Sequence, residues 1–226
     1  MNTRSFVRLF SAVCFVVPVA LAGQSNEAVA CGESIAFEVD PNVLLLSQAE
    51  TSLSGGKARS AALDALKVFP KIKEAKPGSS ALLPRAQRIV AMAIVRTDGL
   101  LTAGKQFTAS TSDERRANLE WAVATLRRLS AAKKNNPAAQ TDLGEALARL
   151  PETQSEALAT LDKLAGKDLV TSANGYSTLA KLRKAAGDDL GHDAAMKKYE
   201  ALAKKTKPAT PAAPAGDKGK NGVFST

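Results

Sequence analysis

Apolar residues fall into two regimes along the chain. Residues 9–22 form one nearly unbroken apolar run, interrupted only by Ser11 and by Pro18 near its end. From Asp40 onward, apolar positions recur at spacings of three and four, which marks helices with one buried face. Val43, Leu46, Ala49, Glu50 and Leu53 begin this pattern. Leu82, Leu83, Ala86, Ile89, Val90, Ala93 and Ile94 give its clearest stripe. No segment sustains the alternation of a half-buried strand. The pattern predicts eight helices, over residues 42–54, 57–74, 81–97, 112–133, 137–149, 154–165, 171–186 and 191–205, and so an all-α chain.

Polar punctuation agrees with those boundaries. Asp40-Pro41 and Asn136-Pro137 each offer an N-cap side chain followed by a proline at the first helical position. Thr111 with Glu114, and Thr153 with Glu156, have capping-box spacing. Gly99, Gly166 and Gly187 stand where a chain leaves a helix through a left-handed residue. Residues 206–226, rich in Pro, Ala, Gly and Lys, lack the apolar content to be buried and are expected to form a disordered tail.

Taken in pairs, the predicted helices repeat a motif. Each second helix carries a small residue, a core residue four later and another three after that: Ala61-Ala65-Val68, Ala117-Trp121-Ala124, Ala157-Leu161-Leu164 and Ala195-Tyr199-Leu202. Offsets of four and seven share one helix face, and the small first residue permits close approach of the hairpin partner. The first helices add Leu53 with Gly56, Leu143-Gly144, and Leu179-Ala180 followed by Gly187. In these positions the chain resembles the tetratricopeptide-repeat family, whose period is about 34 residues. The resemblance covers residues 43–205. It implies antiparallel helix hairpins stacked as a short α-solenoid, with the first helices lining a concave groove. The long connection over residues 97–110 departs from a regular repeat and leaves an irregular helical bundle as the alternative.

Arg4 and Arg8 precede the apolar run at 9–22, which is shorter than the roughly 20 residues that span a bilayer. Basic n-region followed by apolar h-region is the layout of a secretory signal peptide. Two small-x-small sites would end it, after Ala22 or after Ala30. Cleavage after Ala30 makes Cys31 the first mature residue. Ala28-Val29-Ala30-Cys31 looks like a degenerate form of the lipobox that directs lipid attachment, with Ala28 where Leu is usual, so Cys31 is a candidate lipidation site. Residues 31–41 would then be a tether to a helical domain at 42–205. The only other cysteine, Cys14, lies within the signal, so the mature chain has no internal disulfide to rely on.

Composition adds three constraints. Aromatic residues make up only 4% of the chain, so alanine and leucine must build the core. The formal charge is +9, with basic residues thickening between Lys197 and Lys220. Sparse aromatics and the lack of any nucleic-acid-binding motif argue against a nucleic-acid partner, leaving anionic envelope surfaces or a merely basic exterior.

Candidate chemistry is thin. Gly99 to Lys105 matches seven positions of the phosphate-binding P-loop, but Gln106 stands where Ser or Thr would hold Mg²⁺, and a helical pattern precedes it in place of a strand. His192 is the only histidine, beside Asp188, Asp189 and Asp193, which suit a helix start. One histidine without cysteine partners does not build a conventional zinc site. Arg85, Arg88 and Arg96 share a polar flank of the third helix, and the resemblance would turn that flank towards an acidic peptide or a C-terminus. A solvated helix face is the plain alternative. Trp121 reads as core. The sequence thus leads us to expect an exported, non-enzymatic interaction scaffold of the bacterial envelope, with a protein partner, no cofactor, no metal and no small-molecule substrate. A surface-associated protein acting through its basic tail is the rival.

Overall fold

The computed structural model describes residues 39–103 and 106–206. The expected signal peptide with its two candidate cleavage sites, Cys31, most of the expected tether, Gly104-Lys105 and the expected tail beyond Thr206 lie outside the described residues. Within them the chain forms eight α-helices and no strand: α1 Pro41–Ser54, α2 Ala58–Val68, α3 Leu83–Arg96, α4 Ser112–Ala132, α5 Pro137–Leu147, α6 Gln154–Ala165, α7 Ala173–Ala185 and α8 Asp189–Thr206. A single 3₁₀ turn, Pro151–Thr153, leads into α6.

Local chemistry sets most of the boundaries. Asp40 accepts from the Asn42 amide at 2.8 Å, and Asn136 accepts from the Ala139 amide at 3.0 Å, each ahead of a proline at the helix start. Thr111 and Glu114 complete both halves of a capping box. Thr153 does not. Its hydroxyl donates to the Leu147 and Leu150 carbonyls, closing the end of α5 instead of opening α6. Predicted helix 57–74 stops at Val68, because Pro70 disfavours helical geometry at Phe69, which sits at φ −130° and ψ 79°. The following turns still bury Ile72 completely.

Four helices end with the same device. Amides of Lys57, Gly99, Leu169 and Asp188 each reach back five residues, to the carbonyls of Ser52, Ile94, Leu164 and Arg183, at 2.8–2.9 Å. The residue before each donor has positive φ: Gly56, Asp98, Asp168 and Gly187. Gly166, expected to be left-handed, is instead right-handed, and Asp168 takes that role two residues later. An aspartate tolerates the left-handed region better than most side chains, so this exit carries no glycine signal.

Packing follows a simple rule. Each helix packs on the next in sequence, and the first helices α1, α3, α5 and α7 also pack on one another in succession. The second helices make no comparable contacts with each other among the described residues. This succession of packed hairpins is an all-α, solenoid-like fold. The first helices begin at residues 41, 83, 137 and 173, so the units are unequal in length.

The core is built from alanine and leucine, with Ile89, Met92, Ile94 and Phe107 among its larger members. Ala61, Ala65, Ala157, Leu161, Leu164 and Ala195 are buried where the repeated motif places them. Gly144 lets α5 approach α6 so closely that a Cβ would lie 2.7 Å from Leu161 Cδ2. The motif fails in α4. Ala117 and Ala124 face solvent, and Leu119, Ala122, Val123 and Leu126 are buried instead. Trp121 led the pattern astray: it is only half-buried, set edge-on against Phe107 at a centroid distance of 5.0 Å. The buried face lies one residue further on, a rotation of about 100°.

Candidate functional site: the face of the first helices

Helix α3 is buried almost all round, and its arginines are its polar line. Successive first helices place polar side chains along the same seam. Arg85 grips Glu50 of α1 with both Nε and Nη2, at 2.7 and 2.6 Å, and Nη2 also donates to Ser47 at 2.9 Å. Arg88 turns the other way and holds Asp142 of α5 through Nε at 2.5 Å and Nη2 at 3.2 Å. Arg96 donates from Nη1 to the Leu53 carbonyl at 2.7 Å, and its Nε lies 3.9 Å from Glu145 Oε2. Ser172, just before α7, donates to Glu145 at 2.5 Å.

Desolvation dominates the titration of the two acids. Asp142 and Glu145 side chains are only 5% and 2% exposed. Burial pushes the Asp142 carboxyl above its ordinary range, although Arg88 and, less strongly, Arg96 oppose that shift. Glu145 is raised by burial too, opposed chiefly by Arg96 and by the Ser172 hydroxyl. The seam therefore carries a buried network linking α1, α3, α5 and the start of α7.

Two clefts open along it. One, of about 560 Å³, contains Arg85, Arg88, Glu50 and Asp142, with Lys133 at its rim and Pro84, Leu126 and Leu129 as an apolar wall. The other, of about 790 Å³, lies between the α1–α2 turn, the first turns of α2, the end of α3, the end of α5 and one face of α7. Arg96 belongs to this second cleft, together with Lys57, Arg59, Arg149 and Lys181. The three arginines of the expected flank are thus divided, two in one cleft and one in the other. Each is already engaged inside the protein.

Comparisons with protein-family models, with curated proteins and with solved structures all return nothing that aligns with this chain.

Sequence reasoning missed the basic lining of the larger cleft. Arg149 was open to discovery, since it follows Asp142 and Glu145 at helical offsets of seven and four. Lys57, Arg59 and Lys181 come from other hairpins, and nothing in the linear pattern joins them.

The remaining candidates have structural explanations. Gly99 follows a helix, at φ 77°, and a Cβ there would lie 2.5 Å from the Arg115 carbonyl oxygen. Close backbone passage therefore accounts for the glycine that opens the P-loop-like run. Asn118 ties that loop down, donating to the Gly99 and Phe107 carbonyls at 3.2 and 3.1 Å. Lys73 closes it from the other side, with Nζ 4.3 Å above the Phe107 ring and 2.6 Å from the Gln106 carbonyl. His192 Nδ1 lies 3.0 Å from the Ala180 carbonyl. Among the described residues, no three acidic, histidine or cysteine side chains are grouped to hold a metal ion, and no helix is long and apolar enough to cross a membrane.

Proposed function

We propose that this protein is an exported, non-enzymatic interaction scaffold that holds another protein on the face of its first helices. The observation that carries the reading is the stack of first helices itself. Helices α1, α3, α5 and α7 pack side by side, and their shared face bears two clefts and an ordered row of charged side chains. Pairs such as the partly exposed Arg88 with the buried Asp142 keep that row in fixed positions, which lowers the ordering cost of association. The export half of the reading rests on Arg4, Arg8 and the apolar run at 9–22. On this reading the protein works in the bacterial envelope, either free or held by lipid at Cys31.

Site-specific photocrosslinking in the producing cells tests this. A crosslinker replacing Thr178, on the inner face, is expected to trap one discrete protein, and one replacing Arg127, on an exposed outer position, is not. Equal adducts at both positions, or none from any inner position at native expression, would overturn the scaffold. Intact mass of the native protein reads the export claim separately. A mature chain starting at Gly23, or at an acylated Cys31, is expected, and a chain retaining residues 1–22 refutes it.

A further inference from the structure

Among the described residues, two buried side-chain nitrogens have no hydrogen-bond partner, Arg96 Nε and Arg149 Nε. Both residues line the 790 Å³ cleft. Buried polar atoms are nearly always satisfied, and here two guanidiniums that share the buried Glu145 each keep an unbonded Nε beside one cleft. The arginines are not otherwise idle. Arg96 is anchored by the Leu53 carbonyl, while Arg149 Nη1 sits 3.8 Å from Asp98 Oδ1, a loose contact.

The rest of the lining points to the same chemistry. Lys57, Arg59 and Lys181 bring three more cations to the cleft, and none makes an ion pair with a described residue. Among the described residues the one carboxylate in the lining, Glu145, is buried and already engaged by the Ser172 hydroxyl and by the charges of Arg96 and Arg149. Ser177 and Thr178 of α7 add hydroxyl donors. The first turn of α2 also faces the cleft, and its N-cap, Lys57, supplies no side-chain hydrogen bond to it. We propose that this cleft binds a phosphate monoester, with Arg96 and Arg149 gripping the phosphoryl oxygens and Lys57, Arg59 and Lys181 balancing the remaining charge.

A dianion with three peripheral oxygens matches paired guanidiniums and flanking ammonium groups better than a single carboxylate, which would leave most of the positive charge unmatched. The volume falls within the roughly 300–1,000 Å³ of organic ligand sites, so an organic portion is accommodated beside the phosphoryl group. Leu63, 40% exposed, and the buried Ala58 give that portion an apolar wall. Among the described residues no aromatic side chain lines the cleft, so a nucleobase finds nothing there to stack on. A small aliphatic or sugar phosphate fits these surroundings. The linear pattern announces no such ligand, and the proposal does not depend on whether a protein occupies the rest of the face.

Calorimetric titration of the full chain, as purified from cells, tests the proposal. Glycerol 3-phosphate is the probe, with inorganic phosphate, succinate and an oligoglutamate peptide as competitors. Saturable binding of glycerol 3-phosphate is expected, tighter than inorganic phosphate and undisturbed by succinate. Arg149→Gln should weaken it about tenfold or more, the usual loss for one charge-assisted hydrogen bond. Lys181→Gln, at an exposed position that cannot unfold the protein, should weaken it less, and Arg127→Gln should leave it unchanged. Glu145→Gln, which removes the one described carboxylate of the lining while keeping an acceptor for Ser172, should strengthen it. No saturable binding at millimolar probe overturns the proposal. So does affinity indifferent to Arg149→Gln and Lys181→Gln, or displacement by oligoglutamate at lower concentration, which would make the cleft a site for acidic peptide.

Discussion

Removing Arg88 should expose how much the seam depends on paired charge. Its guanidinium holds both oxygens of Asp142, whose side chain is 5% exposed against 40% for Arg88. Arg88→Met preserves most of the side-chain length but leaves the carboxylate buried without its main counter-charge. Breaking a fully buried pair costs about 3–5 kcal/mol. Water reaches the arginine side of this pair and screens part of the interaction, so we expect about 2–3 kcal/mol at neutral pH.

The loss should depend on pH in a definite direction. Burial raises the folded Asp142 carboxyl above its unfolded value, so the folded state holds that proton more tightly. This group's contribution is fully present below the unfolded value and is lost as pH rises through the folded one. Without Arg88 the folded value climbs further, and the loss extends closer to neutrality. The Arg88→Met penalty should therefore shrink as pH falls from neutrality into the acid range and Asp142 takes up its proton. Adding Asp142→Asn should recover most of the stability at neutral pH and flatten the pH dependence. Glu145 titrates in the same direction but is present in every variant, so it largely cancels from the differences. Urea unfolding followed by far-ultraviolet circular dichroism reads these quantities. A penalty below about 1 kcal/mol at neutral and acid pH alike, or a double variant no more stable than the single one, would refute a buried and uncompensated Asp142.

Two further substitutions probe the long connection between α3 and α4. Trp121→Ala removes a half-buried ring and its edge contact with Phe107, and should cost about 2 kcal/mol in the same unfolding assay. A loss of about 4 kcal/mol or more would mean that the ring is fully buried after all. Gly99→Ala forces a Cβ towards the Arg115 backbone at φ 77° and should cost about 2 kcal/mol or more. Faster amide exchange around Phe107 and Asn118 should accompany it, and an unchanged midpoint would contradict the close passage seen here.

The sequence announced these helices because caps and stripes are local. Asp40, Asn136 and Thr111 each satisfy amides within three residues of themselves, so their role can be read without knowing the fold. The stripe of α3 was legible for the opposite reason: with nearly every other position buried, its arginines had nowhere to hide. Errors arose where a local signal was ambiguous. In α4, alanines occupy both the buried and the exposed faces, and a half-buried tryptophan drew the frame one residue off. At the end of α6, an aspartate adopts the conformation that a nearby glycine advertises.

The site was less legible than the fold because its contacts join different units of the stack. Arg85 has many carboxylates downstream and upstream of it, and only the packing of α1 on α3 selects Glu50. Arg88 and Arg96 lie on the same helix, yet one pairs with Asp142 and the other faces Glu145, one turn further along α5. These matches also address a weakness of the core. Alanine-rich interfaces are smooth and pack acceptably at more than one offset, so apolar burial alone does little to fix how far one unit slides on the next. A misregistered stack would strand Asp142 and Glu145 in a dry interior without their arginines, at a cost of several kcal/mol each. The alanines bring the first helices close, and the buried charges specify where they stop. Arg149 extends that row beyond Glu145, with Nη1 3.8 Å from Asp98 and its charge also bearing on Glu145, so at this end of the seam one buried carboxylate serves two guanidiniums.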